Sequence, residues 1–175
     1  MNNHSFVIRT LDDWQNDAIN CAGICKDNDL DNGQFVTRGD LGLATDGGYE
    51  FACTLPVANA TDLWLVEKPA VGNTIEQQEM SDPRYFYNPK GNAFSIKGLT
   101  AGRTFLEVPA SAFAATKDPK TVGDTAKFAS VDKTGRLVAV VSAPASGTYF
   151  SIEATHTVDI GIEAVPTWIL KCVRN

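Results

Sequence analysis

The feature that most constrains the fold of this chain is a succession of short segments in which apolar and polar residues alternate. Alternation with period two is typical of a β-strand, because successive side chains of a strand point to opposite faces. Roughly eight to ten such segments recur at intervals of about 8–15 residues, and turn-forming residues separate them. No helical pattern is longer than about ten residues. The sequence therefore predicts a mainly β protein, a single compact β-barrel or sandwich of short strands with little helix.

Two segments give the clearest predictions within this pattern. Residues 63–67 (Leu-Trp-Leu-Val-Glu) form a continuous apolar run, which is typical of a central strand that is buried on both faces. Residues 133–135 (Lys-Thr-Gly) form a turn between the alternating segments 126–131 and 136–141. This arrangement predicts a β-hairpin.

The chain divides into an N-terminal part and a β-rich part. Residues 1–25 are predicted to form an N-terminal extended arm and a linker segment, although residues 19–25 also fit a strand. Residues 26–175 are predicted to form the β-rich domain. An irregular insertion at about residues 70–92 interrupts it, and insertions of this length within compact domains are usually functional or disordered.

Exposed aromatic and apolar residues outside the predicted strands are the candidates for partner binding. Trp64 and Trp168 lie in apolar strands, so we expect them to pack in the core. The predicted partner-binding residues lie in the arm, in the linker and in the insertion, and are Phe6, Val7, Ile8, Trp14, Tyr85, Phe86 and Tyr87. Apolar residues on an arm without a core of its own need the surface of a partner.

Composition narrows the classes of partner. The chain has 15 basic and 21 acidic residues and a net charge of −6, so its surface repels phosphate backbones and no nucleic-acid partner is expected. No apolar run reaches the roughly 20 residues of a membrane helix, so no membrane association is expected. The first residues lack the layout of a secretory signal. The four cysteines are too few for a disulfide scaffold and are expected to be reduced thiols.

The sequence offers no catalytic, cofactor-binding or metal-binding motif. Neither His4 nor His156 lies in a nucleophile motif, and the glycine-rich stretches lack the ending of a phosphate-binding loop. Asp27, Asp29 and Asp31 alternate as in a calcium loop, but the glycine comes one residue late and an arginine stands where the closing glutamate is required. We therefore expect no enzyme activity and no cofactor.

The order of several segments resembles that of a known class of viral proteins. These segments are 29–36 (DLDNGQFV), 62–69 (DLWLVEKP), an irregular acidic insertion, 92–96 (NAFSI), 104–113 (TFLEVPASAF), 122–124 (VGD) and 133–137 (KTGRL). Together they resemble the small structural proteins of tailed bacteriophages that sit on or beside the capsid. The resemblance spans about residues 29–141; the Trp14 segment and the aromatic loop around Tyr85 depart from it.

This resemblance implies a function. It implies a head decoration (cement) protein or head-fibre-base protein that binds the lattice of the major capsid protein, reinforces the head and has no catalytic role. It also implies a homo-oligomer that is made in the bacterial host cytoplasm and resides on the capsid surface of the virion. The alternative function is a carbohydrate- or receptor-binding β-module of a head fibre or tail, with the Tyr85 loop as its platform.

Overall fold

A computed structural model describes residues 9–10, 20–43, 47–67, 86–123, 125–160 and 163–175. The described chain is mainly β with little helix, which confirms the predicted fold class. Its strands are β1 (Arg9–Thr10), β2 (Asn20–Ile24), β3 (Leu30–Asp31), β4 (Phe35–Leu43), β5 (Tyr49–Thr54), β6 (Leu63–Val66), β7 (Tyr87–Asn88), β8 (Ala93–Gly98), β9 (Phe105–Pro109), β10 (Phe128–Val131), β11 (Leu137–Val140), β12 (Tyr149–Ile160) and β13 (Glu163–Arg174). A 3-10 turn (Ala110–Ala112) and a one-turn helix, α1 (Pro119–Val122), join β9 to β10.

Five strands close into a barrel in the order β2-β5-β4-β6-β8. All neighbouring strands are antiparallel except β2 and β5, which run parallel with Gly23 opposite Phe51. Closure leaves none of these five strands as a sheet edge along its paired length. A two-stranded ladder of β3 and β7 lies outside the barrel order.

The remaining strands form an antiparallel six-stranded sheet in the order β1-β9-β13-β12-β10-β11. The predicted hairpin is confirmed as β10 and β11, which pair from Phe128 opposite Val140 to Val131 opposite Leu137. The longest ladder joins β12 to β13, and it carries register shifts near Tyr149 and near Glu153. Residues 149–160 form one continuous strand.

Two hydrophobic cores share a wall made of β4 and β6. Leu63 and Leu65 point into a core with the six-stranded sheet, whereas Trp64 and Val66 point into the barrel core. The expectation that this strand is buried on both faces is confirmed, because all four of its residues are buried. Phe35 and Val36 of β4 divide between the two cores in the same way, and Trp168 packs in the first core as expected.

The N-terminal segment contributes strands to both sheets. Asn20–Ile24, in the part predicted as arm and linker, forms β2 and closes the barrel against β8. Arg9 and Thr10 pair with β9 of the same chain, opposite Glu107 and Leu106. The end of the predicted arm therefore lies on the protein's own sheet, while residues 1–8 lie outside the described residues.

Candidate interaction surfaces

Most of the residues predicted to bind a partner lie outside the described part of the chain. Phe6, Val7, Ile8, Trp14 and Tyr85 belong to this group, and their predicted role stays a prediction. Phe86 and Tyr87 are described. Phe86 is only 6% exposed, and Tyr87 is half-buried in β7 opposite Asp31. The side chain of Phe86 therefore serves the protein's own packing in this structure.

A hydrogen-bonded junction holds the β7 segment against β3. The Asn88 side-chain nitrogen donates to the Leu30 carbonyl oxygen at 3.1 Å, and the Lys90 amide donates to Oδ1 of Asp29 at 2.9 Å. Asp31 forms an ion pair with Arg136. Two carboxylates of the acidic turn, in which the aspartates alternate as in a calcium loop, therefore already have partners within the protein. Asp29 accepts a hydrogen bond, and Asp31 forms an ion pair.

A hairpin made from the outer halves of β4 and β5 extends beyond the barrel and carries an exposed apolar face. Leu41 lies opposite Phe51, and Leu43 lies opposite Tyr49, so all four side chains project from one face. Leu41, Leu43 and Tyr49 are 53%, 73% and 68% exposed. We call these four residues the apolar hairpin face.

This face continues the inward-facing side of the barrel into solvent. Tyr49, Phe51 and Cys53 alternate along β5 and therefore share one face. Cys53 is buried in the barrel core, Phe51 packs against that core, and Tyr49 stands beyond it. This row of β5 side chains therefore begins in the barrel core and ends in solvent.

Arg38 covers the boundary between the barrel core and the hairpin. Its guanidinium carbon lies 4.2 Å from the ring centre of Trp64 and 4.6 Å from that of Phe51. A register shift between Arg38 and Leu41 interrupts the β4–β5 ladder at this point, and irregularities of this kind bend a strand locally. Arg38 therefore covers Trp64 and Phe51, whereas Leu41, Leu43 and Tyr49 lie outside the buried core cluster.

A second projection is formed by the distal halves of β12 and β13. Residues 153–160 of β12 and 163–166 of β13 are mostly exposed, although each belongs to a regular ladder. We call this element the projecting ribbon. At its base, the buried carboxylate of Glu107 accepts a hydrogen bond from Oγ1 of Thr167 at 2.9 Å and lies 3.0 Å from Nδ1 of His156.

Two of the buried thiols, those of Cys53 and Cys172, lie in environments that favour the protonated form. Burial raises the pKa of Cys53 to about 11 and that of Cys172 to about 12. Cys53 occupies the space above Gly23 in the barrel, where an added Cβ would come within 2.8 Å of its sulfur. Across the described residues, no cluster of three or more histidine, cysteine, aspartate or glutamate side chains is arranged to hold a metal ion. The described cysteines are free thiols.

Comparisons with protein-family models, with curated proteins and with solved structures find no match for this chain. Among the residues that the structure describes, no helix has the length and apolar character needed to span a membrane. The structural features that bear on function are therefore the apolar hairpin face and the projecting ribbon.

Sequence reasoning missed the apolar hairpin face. Residues 39–48 hold four glycines, a composition typical of a loop or frayed hairpin, and this composition hides the strand character of Leu41 and Leu43. The usable signal is the pair of leucines two residues apart, followed across a turn by Tyr49 and Phe51 at the same spacing.

Proposed function

We propose that this protein is a structural component of a bacteriophage virion, a capsid decoration protein that binds the lattice of the major capsid protein and reinforces the head. The observation that carries the proposal is the apolar hairpin face, where a core-facing stripe of side chains is presented to solvent. An exposed apolar stripe of this kind favours a protein partner. The resemblance of residues 29–141 to phage capsid-associated proteins favours a capsid as that partner.

The size of the face fits one contact among several. Leu41, Leu43 and Tyr49 together expose a few hundred Å² at most, and a stable pairwise complex usually buries about 1,200–2,000 Å² in total. Burying each side chain contributes roughly 1.5–3 kcal/mol. One such contact is weak, but an oligomer that engages repeated sites on a lattice combines its contacts through effective concentration. A decoration protein works in this regime.

The N-terminal arm is the second contact in this proposal. Because Arg9 and Thr10 pair with β9 of the same chain, the proposal assigns the arm's contact with a neighbouring subunit to residues 1–8. These residues include Phe6, Val7 and Ile8, whose apolar side chains suit strand addition to a neighbour's sheet edge. Removing residues 1–8 is expected to lower capsid binding without unfolding the domain.

The test uses capsids that lack this protein, prepared from the phage that encodes it, and counts bound copies by quantitative mass spectrometry. Leu43→Lys is expected to lower occupancy at least about tenfold, since a charged side chain cannot be buried unpaired without a large cost. Val57→Lys is the matched control, because Val57 has the same 73% exposure but lies in a turn away from the hairpin.

Equal occupancy for the two variants would contradict a role for the apolar hairpin face. Absence of the wild-type protein from purified virions would contradict the proposed function as a whole. Saturable binding to a glycan array, with no binding to capsids, would instead support the carbohydrate-binding alternative. Melting temperatures of both variants should match the wild type, since both positions are exposed.

A further inference from the structure

Among the residues that the structure describes, the projecting ribbon has one edge that no other strand covers. β12 pairs with β13 along its whole length, but on its other side it meets β10 only at Tyr149–Ser151. Residues 153–160 extend past that contact, and within the described chain no strand covers their outer edge. An open edge of this length offers a row of backbone donors and acceptors to another chain.

The register decides which backbone groups face outward. Pro166 lies opposite Thr157 and has no N–H, so this pair occupies a position that is not hydrogen-bonded in the ladder. Alternation along the strand then directs the N–H and C=O groups of Thr155, Thr157 and Asp159 to the open edge. Val158 falls between them, at a hydrogen-bonded position opposite Val165.

The opposite edge of the ribbon is not equivalent. There the outward-facing position at Pro166 has no donor, and from Thr167 onward β13 is covered by β9. A proline at an edge is one of the devices that prevent strand pairing. The ribbon therefore has one edge that can accept a strand, that of β12, and one that is blocked.

Charge indicates what kind of strand fits. No lysine or arginine occurs between residues 151 and 170, whereas Glu153, Asp159 and Glu163 lie on the ribbon. The whole chain carries a net charge of −6. A second copy that presented the same edge would bring like charges together, which disfavours pairing across strands. A segment rich in lysine or arginine is attracted instead.

We propose that the open edge of β12 at residues 153–160 binds an extended basic segment of a partner protein by strand addition. The added strand pairs with the backbone of Thr155, Thr157 and Asp159, and its basic side chains meet Glu153 and Asp159. This inference does not depend on the apolar hairpin face and goes beyond the proposed function, because it assigns a separate site and the chemistry of its occupant.

The experiment follows amide hydrogen exchange of the full-length protein by NMR, with and without a blocked octapeptide of alternating lysine and threonine. The amides of Thr155, Thr157 and Asp159 are expected to gain protection, while that of Val158 changes little because it is already bonded to β13. An octapeptide with glutamate in place of lysine is the matched control and should give no protection.

Thr157→Pro removes one outward donor without removing a bond to β13, and we expect it to weaken binding of the basic peptide about tenfold. Thr157→Val keeps the donor and should bind as the wild type does. If the proline variant is unstable, the hydrogen exchange of the three outward amides in the wild type still tests whether the basic peptide adds a strand to β12. The proposal is overturned by unchanged exchange at these amides, by equal binding of both peptides, or by dimerisation of the protein through this edge.

Discussion

Arg136 donates a hydrogen bond from Nη2 to Oδ2 of Asp31 at 2.5 Å, and this ion pair joins residues that are 105 positions apart in the chain. Its Nη1 donates to the carbonyl oxygen of Ser111 at 2.8 Å. The β10–β11 turn also contacts the start of β4, where the Phe35 amide donates to the Gly135 carbonyl. One turn of the six-stranded sheet is thus fastened to the barrel side of the molecule.

Replacing Arg136 by methionine is expected to lower the free energy of unfolding by about 2–3 kcal/mol, because the nearly buried carboxylate of Asp31 loses its charged partner. Chemical denaturation measures the loss. The double variant with Asp31→Asn should recover part of it, since the negative charge that Arg136 paired with is then removed. A loss below about 0.5 kcal/mol in the single variant would show that the pair behaves as an exposed one.

Gly135→Ala is expected to destabilise the protein by about 3 kcal/mol or more, since two costs coincide at this position. Gly135 has a φ of +73°, and an added Cβ would come within 2.3 Å of the Phe35 carbonyl oxygen. Gly102→Ala is the matched control, with a φ of +79° and open space around it, so it should lose only about 1 kcal/mol. Equal losses in denaturation experiments would mean that the Phe35 contact relaxes freely.

Asn175→Ala is expected to cost about 2–3 kcal/mol of stability, because the Asn175 side chain makes four hydrogen bonds. Its oxygen accepts from the Leu63 amide and from the Thr148 hydroxyl, and its nitrogen donates to the Leu63 and Leu99 carbonyls. Thr148→Val removes only one of these bonds and should cost about 1 kcal/mol. Thermal melts rank the two variants, and the reverse order would contradict this explanation.

Stability is expected to fall between about pH 9 and pH 12 in a way that depends on Cys172. Burial raises the pKa of its thiol from 9.0 to about 12, so in this range the folded state holds a proton that the unfolded state has released. The free energy of unfolding should therefore drop by about 1–2 kcal/mol between about pH 8 and pH 10.5 on this account alone.

Cys172→Ala isolates this contribution, because other groups that titrate at alkaline pH are the same in both proteins. The variant is expected to be less stable at about pH 8, where it has lost buried volume, and to show a shallower decline as the pH rises. Parallel declines for the two proteins in denaturation experiments would mean that the Cys172 thiol is not perturbed in the folded state.

Local patterns were sufficient to predict the strands whose alternating or apolar sequences are not interrupted by glycines. The alternating segments 126–131 and 136–141, the Lys-Thr-Gly turn between them and the apolar run at 63–67 all correspond to observed elements. Strand character of this kind depends on neighbours two residues apart, so it can be read from the sequence. The hairpin beyond Arg38 was missed because glycines at 39, 42, 47 and 48 obscured its pattern.

By itself the sequence determined that this protein is mainly β and which short segments become strands, because the period of apolar residues is a local property. Only the tertiary structure decided that β2 closes a barrel, that β4 and β6 divide two cores, and that, among the described residues, the distal part of β12 is paired with a strand on one side only. These outcomes depend on pairing between segments far apart in the chain. The hydrophobic effect is not directional, so it does not specify which apolar surface a given side chain packs against. The sequence shows which faces are apolar, whereas the fold decides which of them are covered.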